Sequence, residues 1–352
     1  MAKDDSLAPG SYTLPFEKPI AKVARQIEEL EASQSDTGRD FSGEVRRMRA
    51  ELVGLLRKTY ASLSPWETVQ VSRHPRRPLA GDYIEHVVHD FVELHGDRLF
   101  GDDRSIRCGM GRIGQEKVML VAQHKGRDTR EKIICNFGCA MPEGYRKALR
   151  IMKLAEKHHL PIVTLIDTPG AFPGVESEER GVAEAIARNL MEMSRLKTPI
   201  ICVIIGEGGS GGALGIGVGD RVAMLEYAYY SVISPEGCAA ILWKSGAQAA
   251  EAAEAMKLTS RKLKELDVID AIIPEPLGGA HRNVTEAHRN LEQYLVRSIR
   301  ELKRVSLETL QEHRYRRWRR MGRFEILTPE QLAAMNHGAV KTVLDEAGAA
   351  AQ

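Results

Sequence analysis

The sequence has no long hydrophobic run and no excess of charge of either sign. Its longest uninterrupted apolar segment, Ile-Ile-Cys-Val-Ile-Ile at 200–205, is far shorter than the roughly 20 residues of a membrane-spanning helix. Lys and Arg number 50 against 48 Asp and Glu, so the net charge of +2 creates no overall field for nucleic acid or an anionic membrane. We therefore expect neither a membrane span nor a nucleic-acid partner, and any charged partner must bind at a local patch.

Cysteine is also scarce. The chain has five cysteines, an odd number, and Cys202 lies inside the apolar run, which is typical of free thiols in a reducing compartment. Cys135 and Cys139 are four residues apart, but no second Cys/His pair with zinc-ribbon spacing follows, so we expect no metal in this chain. The first residues, Met-Ala-Lys-Asp-Asp-Ser, lack the pattern of a secretory or transit signal. These features favour a cytoplasmic protein.

Residues 1–75 have the residue composition and spacing of a helical arm. Apolar residues recur at helical spacing over 20–32 and again over 41–60, which predicts two helices. Ser64-Pro65-Trp66-Glu67 then has the form of a capping box with proline at the first helical position, and it predicts a third helix. The arm contains no pattern of catalytic residues, so we expect it to pack on a neighbouring element.

From about Asp82 short β-branched runs alternate with amphipathic helices, which is typical of an α/β core. We predict strands over 118–123, 162–167, 200–205, 221–225 and 230–233. We predict helices over 142–159, 178–195, 237–244, 247–256, 260–266 and 286–302. The predicted domains are the arm (1–75), the core (76–284) and C-terminal helices with a tail (285–352), in which Pro329-Glu330 indicates one more helix start.

A glycine-rich loop follows the strand at 200–205 and is the strongest sign of a ligand site. It reads Gly206-Glu207-Gly208-Gly209-Ser210-Gly211-Gly212, and consecutive glycines at a strand-to-helix turn leave amide groups at a helix N-terminus, where the dipole favours negative charge. The simpler alternative is that the glycines allow close packing of this backbone against another element, with no ligand bound. Six glycines within ten residues cost so much chain entropy that an anion site is the better interpretation.

The same loop fits two short motifs of other enzyme classes. Gly206, Gly208 and Gly211 match the dinucleotide pattern G-x-G-x-x-G, and Glu226 follows twenty residues later, as in NAD-dependent oxidoreductases. The loop is far from the N-terminal position where that motif usually lies, and the glycines continue past its end. This alternative stays open from the residues alone.

The second short motif belongs to serine hydrolases. Ser210 lies in G-x-S-x-G, and Asp267 or Asp270 followed by His281 supplies the chain order of a catalytic triad. Glycines on both sides give Ser210 little support for a fixed hydroxyl position.

A third interpretation needs no side-chain nucleophile. Adjacent amides, best placed at Gly211 and Gly212, can form an oxyanion hole, and each such donor is worth about 3 kcal/mol in the transition state. A second loop, Asp167-Thr168-Pro169-Gly170-Ala171-Phe172, leaves the preceding predicted strand, and its Pro and Gly residues make it stiff. Loops at the carboxyl ends of parallel strands converge, so we expect Gly170 to lie near Gly211. No Walker A motif is present, which argues against nucleotide hydrolysis.

Taken together, these loops and several further sequence segments resemble the alpha subunit of the carboxyltransferase of multi-subunit acetyl-coenzyme A carboxylase. The resemblance extends over residues 18 to about 320, and Phe172 stands where tyrosine is common in the family. The segments that carry it are 73–75, 125–127, 136–138, 142–148, 166–174, 206–214, 231–238, 242–245 and 273–283.

The resemblance implies a crotonase-like (ClpP/crotonase) α/β fold, a spiral of ββα units behind the helical arm. It implies transfer of a carboxyl group from carboxybiotin to acetyl-CoA, giving malonyl-CoA, the first committed step of fatty acid synthesis. It further implies a beta subunit with a zinc ribbon, a biotin carboxyl carrier protein, biotin carboxylase, and two alpha with two beta subunits. The chain should be inactive alone.

The resemblance also suggests roles for single residues. Gly211 and Gly212 would be catalytic, through their amides. The predicted contacts to carboxybiotin or its carboxylate come from Gly208, Gly209, Ser210, Gly170, Ala171, Phe172, Lys125 and Arg127. A solvated loop is an equally good interpretation of the basic group Lys125, Arg127, Arg130 and Lys132. We assign no acid–base role to Glu207, and we expect the basic segment 314–320 to be a subunit contact or a solvated helix end.

Overall fold

The computed structural model describes residues 12–37, 39–322 and 328. The predicted helix start at Pro329 therefore lies outside the described residues. Up to Arg317 the described residues belong to one compact unit, and those from Trp318 belong to a second unit, which begins with the last two residues of a helix. None of the helices in the described part of the chain combines the length and apolarity needed to cross a bilayer. The domain boundaries at 75 and 284 stay a prediction.

The predicted arm is built from three helices, α1 (Lys18–Thr37), α2 (Ser42–Ala61) and α3 (Pro65–Ser72). The capping box is present, because the Glu67 amide donates to Ser64 Oγ at 3.2 Å and the Ser64 amide donates to Glu67 Oε2 at 2.8 Å. A buried cluster then joins the arm to the rest of the unit, since side chains from α1, α2 and α3 pack against Tyr227.

The core is an eight-stranded mixed sheet. Its strands are β1 (His89–Glu93), β2 (Ile106–Ile113), β3 (Glu116–Gln123), β4 (Ile162–Thr168), β5 (Ile200–Gly209), β6 (Arg221–Leu225), β7 (Tyr229–Ser231) and β8 (Ala271–Ile273). The order is β1-β2-β3-β4-β5-β6-β8, antiparallel up to β3 and parallel beyond, and the short β7 pairs with the last residues of β5. Every residue of β4 and β5 is buried, as expected for parallel strands covered on both faces.

Helices connect and cover the strands. They are α4 (Ala80–Val87), α5 (Thr129–Ile134), α6 (Pro142–Lys157), α7 (Val175–Glu179), α8 (Val182–Arg195), α9 (Ser210–Leu214), α10 (Pro235–Trp243), α11 (Ala249–Met256), α12 (Ser260–Glu265), α13 (Val284–Leu302) and α14 (Leu307–Arg319). The helix predicted over 178–195 is divided into α7 and α8 because Gly181, with φ of +76°, begins α8 in the left-handed conformation.

The five predicted strands are present, and β1, β2 and β8 were missed. Strand β2 contains Gly109 and Gly111, which weaken any strand pattern in a sequence. The structure explains both glycines, because a side chain at Gly109 would collide with Val92 and Phe91 of β1, and one at Gly111 with Val88 just before it.

The expectation of a subunit contact or a solvated helix end at 314–320 is wrong for Arg314. This side chain is fully buried, and its guanidinium pairs with Asp220 through two contacts of 2.8 Å. It also donates to the carbonyls of Met193, Leu196 and Thr198 at 2.8 to 2.9 Å. Arg314 therefore fixes α14 on the core and is not available to an external partner.

A second buried ion pair fixes the chain just after the arm. Arg77 donates to Glu275 from two nitrogens, at 2.9 and 2.6 Å, and both side chains are almost completely buried. Arg77 Nε also donates to the carbonyl of Ile205, at 2.9 Å, within β5. The chain that follows the arm is thereby attached to the central strand shortly before the glycine loop.

We predict that Arg77→Met lowers the free energy of unfolding by about 3 to 5 kcal/mol, because Glu275 is left buried and unpaired. Urea unfolding of the full chain measures this change. The double variant Arg77→Met/Glu275→Gln should lose less than the single variant. Arg300→Met removes an exposed pair with Glu116 and serves as the control, with a change below about 1 kcal/mol. Equal losses for the Arg77 and Arg300 variants would contradict the prediction.

Candidate active site at the carboxyl ends of the central strands

The two glycine loops predicted to converge do meet. Strands β4 and β5 are parallel neighbours, so the loops that follow them leave the same edge of the sheet. A side chain at Gly212 would overlap the backbone of Gly170 and Ala171, and one at Gly209 would overlap the backbone of Pro169. Glycine is required at both positions because the two backbones are in direct contact.

The helix that follows β5 presents its first amides at this junction. Helix α9 begins at Ser210, and its N-cap residue, Gly209, has no side chain to accept a hydrogen bond from them. The first amides of an α-helix have no acceptor within the helix, which here concerns Ser210, Gly211 and Gly212. Ser210 is exposed, Gly211 is half-buried and Gly212 is buried. The donors of the predicted oxyanion hole therefore lie at a helix start beside the second loop.

Ser210 itself adopts a left-handed backbone conformation with φ of +57°. This conformation is unfavourable for a residue with a side chain, and it turns the chain sharply between β5 and α9. The turn is held by the strand pair between β5 and β7, in which Gly209 lies opposite Ser231.

Two buried side chains behind the junction hold the carbonyl of Gly212. Gln123, at the end of β3, donates from Nε2 to this carbonyl at 2.8 Å, and the Tyr145 hydroxyl of α6 donates to it at 3.2 Å. The other end of the Gln123 amide accepts from the backbone N–H of Asp167 at 3.2 Å. Gln123 thus connects the ends of β3, β4 and α9. The sequence did not predict a role for Gln123, although an amide side chain at the end of an apolar, buried strand was a usable signal.

A buried ionic cluster lies just before the glycine loop and centres on Glu207. Lys125 Nζ contacts Glu207 Oε2 and also Asp167 Oδ1, the latter at 2.8 Å. Arg73 Nε donates to Glu207 Oε1 at 2.6 Å, and the Tyr229 hydroxyl donates to the same oxygen at 2.8 Å. Both carboxylate oxygens of Glu207 are therefore occupied. The cluster links the end of the arm, the loop after β3 and the ends of β4 and β5.

The charges in this cluster determine the protonation of Glu207. Burial alone would raise the pKa of its carboxyl, but the positive charges of Lys125 and Arg73 outweigh burial and hold the pKa at about 2. Burial and the charge of Glu207 raise the pKa of the Tyr229 hydroxyl, which stays protonated. Glu207 is thus ionised at neutral pH and hydrogen-bonded at both oxygens, and this agrees with giving it no acid–base role.

The predicted basic ligands have partners within the protein. Lys125 is held by Asp167 and Glu207, as described, and Arg127 forms an ion pair with Asp82 of α4. Phe172 is fixed through its backbone, whose N–H donates to the carbonyl of Ala140 at 3.0 Å. Contacts of Lys125, Arg127 and the Gly170–Phe172 loop with a ligand stay predictions.

Three of the residues that the hydrolase and oxidoreductase alternatives invoke have other contacts. His281 is buried against His74, with ring centroids 3.8 Å apart. Asp270 accepts from the Val222 amide and pairs with Arg317. Glu226 accepts from the Glu275 amide and pairs with Arg261. Nothing in these contacts supports a triad with Ser210 or a carboxylate available to a ribose.

One group among the described residues has the composition of a metal site. Glu17, His74 and His281 are all buried, and each offers a ligand atom within 4.8 Å of the others. Glu17 is already paired with Arg282 and accepts from the Tyr60 hydroxyl at 2.8 Å. A guanidinium in direct contact with the carboxylate disfavours a divalent cation there. The absence of a metal from this chain stays a prediction.

The low pKa of Glu207 makes stability depend on pH. In the unfolded chain its pKa is near 4.3, so between that value and about 2 the unfolded chain binds more protons and stability falls as pH falls. Glu207→Gln cannot titrate. We predict that the stability difference between wild type and this variant shrinks from about pH 5 to about pH 3, by up to about 1.4 kcal/mol per unit. Urea unfolding over this range measures it, and a constant difference would show that the ion pairs do not hold the carboxylate.

Comparison with known proteins assigns the chain to a family. The profile of the family described as "Acetyl co-enzyme A carboxylase carboxyltransferase-like" matches residues 13–322. The chain is 55% identical over 320 residues to the "Acetyl-coenzyme A carboxylase carboxyl transferase subunit alpha" of Geobacter metallireducens, covering 89% of this chain and 98% of the relative. It is 52% identical over 317 residues to the protein of the same name from Nitrosomonas europaea, with 90% and 98% covered.

The fold has a counterpart among solved structures. The beta subunit of geranyl-CoA carboxylase from P. aeruginosa matches with a TM-score of 0.51 at 16% identity, covering 75% of this chain and 48% of that chain. This likeness confirms the crotonase-like α/β fold predicted from the sequence. Because the family profile covers residues 13–322 and the relatives are matched over almost their entire length, the chain belongs to the family of acetyl-coenzyme A carboxylase carboxyltransferase alpha subunits.

Proposed function

We propose that this chain takes part in transfer of a carboxyl group from carboxybiotin to acetyl-CoA, forming malonyl-CoA, as the alpha subunit of a carboxyltransferase. The observation that carries this proposal is the 55% identity to a protein named for that activity, over 98% of the relative's length. The convergence of two glycine loops at a helix start supports it, because such a site stabilises developing negative charge without a side-chain nucleophile.

The uncapped start of α9 supports binding of an anionic oxygen there. When bound, carboxybiotin supplies the carboxyl group and leaves negative charge on its ureido oxygen. The amides of Gly211 and Gly212 would donate to that oxygen, each contributing about 3 kcal/mol in the transition state. Gly208, Gly209, Ser210 and the loop from Gly170 to Phe172 would form the walls around it.

We propose the remaining components by the same reasoning. A beta subunit with a zinc ribbon would complete the enzyme, a biotin carboxyl carrier protein would deliver biotin, and biotin carboxylase would carboxylate it. An assembly of two alpha and two beta subunits in the cytoplasm fits the expectations from the sequence. Acetyl-CoA is the proposed acceptor.

The direct test is reconstitution. The purified chain is mixed with its beta subunit, carboxybiotin and acetyl-CoA, and malonyl-CoA is quantified. Product that requires both subunits supports the proposal, whereas an assembled complex that forms none contradicts it. Labelling of Ser210 by a fluorophosphonate would instead favour the hydrolase alternative.

Two neighbouring glycines provide a matched pair of variants. Gly212→Ala places a methyl group against the backbone of Gly170 and Ala171, whereas at Gly211 the nearest side-chain atoms, those of Ile186, are 3.9 Å away. We predict that Gly212→Ala lowers kcat about 100-fold or more, because the amides move relative to the second loop. Gly211→Ala keeps its amide and should retain most activity. Steady-state kinetics of the complex measure both, and comparable kcat values would contradict the account.

Gln123 is predicted to position the site without contacting substrate. Gln123→Met removes the donor to the Gly212 carbonyl and the acceptor for the Asp167 amide, so both loops lose a fixed point. We expect kcat to fall about tenfold or more with little change in KM for acetyl-CoA, since a small displacement of catalytic groups acts on the transition state. Met119→Leu, a buried exchange on the same strand, is the control. Equal kcat values for the two variants would refute the positioning role.

A further inference from the structure

The short helix α9 carries the amides of the candidate site but has few side-chain atoms of its own. Its five residues read Ser-Gly-Gly-Ala-Leu, and of the two with side chains larger than a methyl group, Ser210 is exposed and Leu214 is half-buried. Other elements must therefore fix the direction in which its first amides point. Gln123 and Tyr145 both hold the carbonyl of Gly212, which fixes one point near the start of the helix. A second point is needed to fix its direction.

A buried asparagine supplies this second point. Asn189 of α8 is completely buried, and its Nδ2 donates to the carbonyl of Gly215, the C-cap residue of α9, at 2.9 Å. The same Nδ2 donates to the carbonyl of Tyr145 in α6, at 3.1 Å. Asn189 is thus bonded both to the end of α9 and to a residue that holds its start.

Tyr145 connects the two ends of α9. A side chain at Gly215 would lie 2.8 Å from the Tyr145 ring, so the ring packs directly on the end of the helix. The hydroxyl of the same side chain reaches the carbonyl of Gly212, at 3.2 Å. Because Asn189 holds the Tyr145 backbone, a change at Asn189 can displace α9 at both ends.

A contribution to stability alone does not account for Asn189. Both hydrogen bonds of its Nδ2 hold α9 or Tyr145, whereas its Oδ1 is buried and has no hydrogen-bond partner in the part of the chain that the structure describes. A buried polar atom without a partner lowers stability and calls for an explanation. The explanation offered by the contacts is that Nδ2 sets the geometry of α9.

We propose that Asn189 is a positioning residue for carboxyl transfer, which fixes the direction of the α9 amides through Gly215 and Tyr145. The inference rests on the proposed function, in which the amides of Gly211 and Gly212 bind the ureido oxygen. A misplacement of catalytic groups by about 1 Å can lower a rate about 100-fold, even when the change is far from the reacting atoms. Asn189 lies behind α9, so its loss should act on kcat and leave the binding of acetyl-CoA unchanged.

The test uses the chain assembled with its beta subunit and measures malonyl-CoA formation from carboxybiotin and acetyl-CoA. Asn189→Leu replaces the amide by an apolar group of similar size and removes both hydrogen bonds. Tyr145→Phe removes only the hydroxyl and keeps the ring on Gly215. Ile113→Ala is the control, because it leaves a cavity at a buried position opposite Glu116, at the start of β3 and therefore at the other edge of the sheet from α9.

We expect Asn189→Leu to lower kcat about tenfold or more, with KM for acetyl-CoA within about twofold of wild type. Tyr145→Phe should lower kcat about threefold or more. The double variant should lose less than the product of the two single losses, because both side chains act on the same helix by one path. Ile113→Ala should unfold at a lower urea concentration and keep kcat within about twofold of wild type.

Amide hydrogen exchange of the full chain measures the order of α9 without any substrate. The amides of Gly215, Ile216 and Gly217 bond to carbonyls of α9. Their exchange should accelerate more in Asn189→Leu than in Ile113→Ala. This local change, together with the loss of kcat, would establish the positioning role.

Other results would overturn the proposal. An unchanged kcat in Asn189→Leu, or an equal loss in the Ile113→Ala control, would show that Asn189 serves stability alone. Losses that multiply in the double variant would show that Asn189 does not act through Tyr145. If Asn189→Leu fails to assemble, a lower kcat in Tyr145→Phe supports the path and an unchanged kcat contradicts it. A wild-type complex that forms no malonyl-CoA would contradict the proposed function itself, so the two failures are distinguishable.

Discussion

The direct contact between two backbones, that of Gly212 and that of Gly170 and Ala171, is the constraint on which the rest of the site depends. It leaves no space for a side chain at Gly212, and it places the first amides of α9 beside the loop that follows β4. A site built from backbone groups cannot be adjusted by side-chain rotation, so its geometry must come from the elements behind it. The structure provides this support in two forms, a neutral hydrogen-bonded bridge and a buried ionic cluster.

The bridge and the cluster act on different parts of the same junction. Gln123 is hydrogen-bonded to both the carbonyl of Gly212 and the backbone N–H of Asp167, so it holds α9 and the end of β4 together. Glu207 forms ion pairs with Lys125, in the loop after β3, and with Arg73, at the end of the arm. These ion pairs connect β5 to that loop and to the arm. The N-terminal arm is thereby part of the support of the site, because Arg73 reaches β5, as does Arg77 just after the arm. Interactions of this kind are expensive to break because the removed partner leaves a buried charge.

Much of the fold was predictable from the sequence because its signals are local. The apolar runs of β3 to β6, the Ser64 capping box and the glycine loops all appear within a few neighbouring residues. The convergence of the loops followed from parallel topology alone. The missed features depend on distant residues or on single backbone angles. Arg73 and Glu207 are 134 positions apart, and the division between α7 and α8 arises at Gly181 within a continuous amphipathic pattern. The buried position of Arg314 was likewise hidden, since its segment has the composition of an exposed basic surface.

The central claim is that the amides at the start of α9 are free to bind an anionic oxygen of biotin. The most direct measurement is a crystal structure of the chain assembled with its beta subunit and biotin. The account predicts the ureido oxygen of biotin at about 2.7 to 3.1 Å from the amide nitrogens of Gly211 and Gly212. It would be contradicted by those amides bonded to protein carbonyls, with biotin held at another place on the subunit.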